Sequence, residues 1–170
     1  MPDLPFHDAR DLSAPHPHRL DLELLRNGHV TRFSTRKALD AAVAGLQHLG
    51  YRVHVIDAAR WHDQRAMHRD LAGALRFPDY YGHNLDALND MFRDIAAFRS
   101  HGTDLSATGT ALALPGFGLF HAREERTAHA LLDMFAAQAR AALLGLHPML
   151  CLVGSDRPLA PVGTTEVEAR

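Results

Sequence analysis

Cysteine is nearly absent: Cys151 stands alone in 170 residues, which excludes an intramolecular disulfide and any metal site built from several thiolates. Lysine is equally scarce, with Lys37 the only one among 18 basic residues, a bias that carries no functional reading by itself. Long apolar runs are missing as well, and no stretch approaches the ~18 continuous apolar residues that a membrane span requires. The opening residues, MPDLPFHDARDLSAPHPHRL, carry acids and prolines where a secretory leader needs a basic start and an apolar run, so a cytoplasmic location is expected. No excess charge of one sign exists either: 18 basic against 20 acidic residues leave a net charge of −2, too little for a global field that would collect nucleic acid or an anionic membrane. Any charge argument must therefore be local. What is present is an ordinary globular composition, 46% hydrophobic and 22% charged, in a chain of one-domain length.

Along the chain, residues 1–19 hold four prolines, three histidines and no apolar periodicity, which reads as a flexible arm. LDLELLRNGHVTRF places two short apolar runs around Asn27-Gly28, a pair suited to a two-residue hairpin turn, so a hairpin is expected there. Ala38, Ala41, Ala42, Leu46 and Leu49 repeat at helical spacing up to Gly50, with Ser34 or Thr35 as the cap. YRVHVID reads as a strand, and Met67, Leu71 and Leu75 as the apolar stripe of a helix that stops before Pro78. Gly82 is expected to permit a tight turn, and Asn84 to cap a helix reaching about Phe98. TALALPG, a long helix from Arg123 to Leu144, and PMLCLVG complete the pattern, with residues 155–170 loose. Strands separated by helices predict an α/β fold with a small parallel sheet, because parallel neighbours need crossover connections.

The stretch FPDYYGHNLDALNDMFRDI at 77–95 is the informative one. At ~100° per residue, Leu88, Phe92 and Ile95 fall on one side of a helix and Asp86, Asp90 and Asp94 on the other. The three carboxylates then form an outward strip about 12 Å long, with Arg93 the one cation placed to screen it. Like charges spaced i,i+4 cost a helix roughly 0.2–0.5 kcal/mol per pair, which Asp86 partly offsets by lying in the first turn. Tyr80 and Tyr81 precede the helix, and aromatics beside unpaired charge are typical of interfaces; one of the two is expected to be core.

FPDYYGHNLDALND resembles the signature of the barstar family, whose members have an aromatic-Tyr-Gly turn, an Asn, and a Leu-Asp-Ala-Leu helix with a second Asp one turn on. The similarity runs back without gaps through HVIDAARWHDQRAMHRDLAGALR, covering about residues 54–95, while 110–153 agree in their order of strand, helix and strand. The resemblance implies three parallel strands flanked by helices over residues 51–154, while the arm, the hairpin-plus-helix extension at 20–50, which has no counterpart in the family inhibitor, and the tail at 155–170 follow from the patterns above. It implies an intracellular protein that binds and neutralises a barnase-type ribonuclease, an immunity protein whose acidic helix occupies cations that otherwise grip RNA phosphates. By matching positions, Tyr80, Gly82, Asn84, Asp86 and Asp90 would lie in that interface, Asp90 deepest. With the flanking Tyr81, His83, Asn89 and Asp94 they form the expected partner-binding set. Departures stand beside the match: His83 replaces a glutamate, Asn89 and Ile95 replace tryptophans, and Ala137 falls near a late-helix glutamate of the family. These losses argue against barnase itself and for another cationic active site, in a ribonuclease or another toxin.

Three other readings compete with this one. A barstar-like adaptor would bind a basic protein without inhibiting it. A carboxylate enzyme would use Asp86 and Asp90, but no nucleophile or acid–base pair accompanies them, and GTALALPGFG lacks both the phosphate-loop lysine and a G-x-G-x-x-G series. A metal at His16 and His18 lacks a spaced carboxylate partner. No catalytic residue, cofactor or metal is therefore expected. Nucleic acid is not expected as a partner, because the organised charge has the wrong sign.

Overall fold

The computed structural model describes residues 19–99 and 106–170; the expected arm, with His16 and His18, lies outside them apart from Arg19. In chain order the elements are α1 (Leu20–Leu25), β1 (Val30–Phe33), α2 (Arg36–His48), β2 (Arg52–Val55), a 3-10 turn (Ala58–Arg60), α3 (Gln64–Leu75), α4 (Leu85–Ala96), β3 (Thr110–Leu114), α5 (Phe117–Arg123), α6 (Glu125–Leu144) and β4 (Met149–Gly154). The strands form one fully parallel sheet in the order β1-β4-β3-β2. The sheet therefore has four strands rather than three.

Two expectations are corrected, one in the N-terminal region and one at the C-terminal end. LDLELL is a helix, not the first arm of a hairpin: Leu24 is 1% exposed and Leu22 is 54% exposed, whereas on an alternating strand both would share a face. Gly28 does take a positive φ, but it turns a helix into β1, which then pairs parallel with β4 from Val30↔Cys151 to Phe33↔Gly154. The segment 155–170 is also far from loose. Leu159 and Val162 are buried, the Gly163 amide donates to Asp133 at 2.8 Å, and the last residues run along the free side of β1. There the Arg32 amide donates to the Glu168 carbonyl at 3.0 Å and the Arg170 amide to the Arg32 carbonyl at 2.8 Å. The tail thus covers a sheet edge that would otherwise present unpaired amides and carbonyls.

Side-chain alternation along the two central strands divides the core in two. Leu112 and Leu114 of β3, with Met149, Cys151 and Val153 of β4, face α3, α4, α5 and α6, where Leu71, Phe92, Phe117, Phe120 and Phe135 pack. Ala111, Ala113, Leu150 and Leu152 face the opposite way, against Leu24, Leu39 and Leu46 of α1 and α2. Residues 20–50 therefore add a strand to the sheet and a layer to its second face, making a helix–sheet–helix sandwich. Asp21 fastens that layer: it accepts hydrogen bonds from Arg19 at 2.6 Å and from the Tyr51 hydroxyl at 3.1 Å. Among the described residues no helix is long and apolar enough to cross a membrane.

Three histidines are buried in this core. His29 lies 3.1 Å from the Met149 carbonyl, His147 lies 2.9 Å from the Thr110 hydroxyl, and His68 lies 2.5 Å from the Tyr81 hydroxyl. Burial holds each imidazole below its ordinary pKa. A proton is therefore taken up by the unfolded chain before the folded one, so stability is complete above the ordinary histidine value of about 6.5 and falls as the pH drops below it. The expected slope is up to about 1.4 kcal/mol per pH unit for each histidine that stays neutral in the fold. Urea unfolding at pH 7.5, 6.5 and 5.5 checks this: a midpoint that declines only below about 6.5 is expected, and a flat profile would contradict it.

Candidate functional site: the acidic face of α4

Asn84 starts α4 as a cap, its side-chain oxygen accepting from the Ala87 amide at 2.8 Å while its own amide donates to the Gly82 carbonyl at 3.3 Å. From that start the helical period decides what is buried. Leu88 and Phe92 are fully buried and Ile95 nearly so, and Phe92 meets Phe135 of α6 edge to face at 5.4 Å. This contact fixes the rotation of α4 about its axis. Asp86 and Asp90 consequently stand exposed on the far side, and Asp94 is half-buried at the end of the same strip.

Among the described residues neither Asp86 nor Asp94 has a side-chain partner, whereas Asp90 accepts an ion pair from Arg93 at 3.0 Å, both groups being about half exposed. An exposed pair of this kind is worth only ~0–1 kcal/mol, so it screens the strip without committing it. Asn89 lies at the seam with α6, where its side-chain oxygen accepts from Gln138 at 3.0 Å. Nothing in the sequence pattern marked Gln138, because a contact between two helices leaves no trace in the periodicity of either.

The turn before the helix separates the two tyrosines. Tyr80 is 80% exposed, and Tyr81 is 5% exposed, its ring packed 4.9 Å from Phe77 and 4.8 Å from His83. Tyr81 thus supports the turn from below while Tyr80 projects from it. Its buried hydroxyl, held above the ordinary phenol pKa by burial, is the one that meets His68. Among the sequence-marked residues, Tyr80, Gly82, His83, Asn84, Asp86 and Asp90 are exposed, Asn89 and Asp94 are half-buried, and Tyr81 lies in the core.

Two local details complete the picture of the turn and the helix. The left-handed residue of the turn is His83, at φ 50°, and not Gly82. What Gly82 supplies is room, since a Cβ there would lie 3.1 Å from the Asn84 side-chain nitrogen and 3.5 Å from the Ala87 Cβ, against the helix cap. Ile95, where the family has an aromatic contact residue, is 4% exposed and belongs to the core, as its place on the apolar side of the helix predicts. Ala137 is exposed on α6, next to Gln138. Among the described residues no group of three His, Cys, Asp or Glu side chains is arranged to hold a metal ion.

The geometry is that of a three-layer α/β protein whose organised charge sits on the outer face of a firmly packed helix rather than inside a cleft. A family profile, Barstar (barnase inhibitor), matches residues 51–153, more than half of the chain, and the chain belongs to that family. The matched region runs from the start of β2 to the end of β4, so β1, α1, α2 and the C-terminal segment lie outside it. Comparison with curated proteins finds no match.

Proposed function

We propose that the chain is an inhibitor or immunity protein that uses the acidic face of α4 to mask the cationic active site of a ribonuclease or of another toxin. The observation that carries the reading is the opposition on α4 between fully buried Leu88 and Phe92 and the exposed carboxylates of Asp86 and Asp90. An enzyme that binds RNA phosphates must line its site with cations, and a rigid row of carboxylates spaced one helical turn apart presents matching negative charge without a scissile bond. Membership in a family described as barnase inhibitors supports the same reading. Tyr80, in the turn that leads into α4, supplies exposed aromatic surface.

The test is RNA cleavage by basic ribonucleases of the barnase type, measured with the full chain and with an Asp86→Ala/Asp90→Ala variant. Inhibition by the first and its loss in the second is the expected result. A partner that binds the chain while keeping full activity would instead establish an adaptor. Complementary charge mainly accelerates encounter and is screened over about 10 Å at 0.1 M salt, so the association rate is expected to fall steeply as salt rises from about 0.05 to 0.5 M. A salt-independent rate would contradict an electrostatic docking face.

A further inference from the structure

We infer that Arg93 is a built-in competitor for the binding face: it holds Asp90 in the free protein and must be displaced before a partner's cation can take its place. The inference rests on the proposed reading of α4 and adds to it a residue that sets how readily the face is engaged. Arg93 Nη2 lies 3.0 Å from Asp90 Oδ1 in an i,i+3 pair, with side-chain exposures of 58% and 51%. Asp86, one turn earlier, has no such partner among the described residues. At ~100° per residue Arg93 sits on the flank of the strip nearer Asn89, the residue that touches α6, so its guanidinium reaches Asp90 from that side.

Two consequences follow from elementary electrostatics. A cation approaching Asp90 meets a carboxylate whose Oδ1 is already engaged, and it meets a second positive charge within a few ångströms. Both effects oppose docking, and both are lifted if Arg93 is neutral. The exposed pair is weak enough to exchange rapidly, so Arg93 tunes affinity without blocking the face. The arrangement favours partners able to outcompete a guanidinium, namely sites with converging cations rather than a lone surface lysine.

The test uses the full chain and a fluorescently labelled hexa-arginine peptide at low salt, with anisotropy for affinity and backbone amide shifts for location. Shifts on α4 are expected, and Arg93→Gln is expected to bind roughly two- to fivefold more tightly, the factor corresponding to one exposed ion pair. Lys37→Gln removes the same unit of charge from exposed α2 on the other face of the sheet and should change affinity by less. In an Asp90→Asn background the gain from Arg93→Gln should shrink, because only the repulsion between Arg93 and the peptide remains to be removed. If the peptide docks on α4 but Arg93→Gln leaves affinity unchanged or lowers it, this inference fails and the proposed function stands. Absence of binding, or shifts confined to other surfaces, overturns both.

Discussion

Asp90→Ala is expected to weaken the partner complex by on the order of 10- to 100-fold while leaving the isolated protein almost as stable as before. The two halves of that expectation have separate causes. In the free protein Asp90 contributes only an exposed ion pair with Arg93, whose loss costs under about 1 kcal/mol. In the complex its removal strands a partner cation in a desolvated interface, a loss of roughly 1.5–3 kcal/mol, and leaves Arg93 unpaired beside that cation. Asp63→Ala should show the reverse signature. Asp63 caps α3, accepting from the Ala66 amide at 2.8 Å, so its removal costs about 1 kcal/mol of stability with no change in binding. Titration calorimetry beside urea unfolding separates the two variants, and equal effects on binding would contradict the assignment of α4 as the docking face.

Phe92→Ala carries the largest expected effect on stability. Phe92 is fully buried, touches Phe135 edge to face at 5.4 Å, and links α4 to the longest helix of the protein. Truncating a buried phenylalanine removes its transfer free energy and leaves a cavity, costing ~3–5 kcal/mol. Against a typical total of ~5–15 kcal/mol this is a large fraction, and urea unfolding should show it as a clear fall in midpoint at unchanged slope. Binding should change far less than in Asp90→Ala, measured where the variant is still folded, because the carboxylates remain in place. A stability loss below about 1 kcal/mol would mean that α4 is not anchored by this contact.

The acidic face of α4 was readable in the sequence because helical periodicity does one job well: it sorts Leu88, Phe92 and Ile95 from Asp86, Asp90 and Asp94 with a separation no short strand could mimic. The capping residues Thr35, Asp63 and Asn84 follow from the same local chemistry, although the sequence alone left Ser34 and Thr35 as alternatives and the structure selects Thr35. The N-terminal region was misread because LDLELL satisfies both periods at once, and only the tertiary burial of Leu24 without Leu22 decides between them. VTRF, four residues long, joins the sheet through backbone hydrogen bonds to β4, which no side-chain pattern announces. The same holds for the C-terminal segment, whose order comes from main-chain pairing with Arg32 and Ser34 and from the burial of Leu159 and Val162. Which tyrosine faces outward was equally beyond the sequence, since two adjacent identical residues differ only through the turn that carries them.

The central claim is that the carboxylates of α4 take the place of nucleic-acid phosphates in a cation-lined site. Competition tests it most directly: the apparent Kd of the chain for a ribonuclease that it inhibits, measured at increasing concentrations of a non-cleavable oligonucleotide. Mutually exclusive binding predicts an apparent Kd that rises linearly with oligonucleotide concentration, and a Kd indifferent to a saturating oligonucleotide would contradict the account.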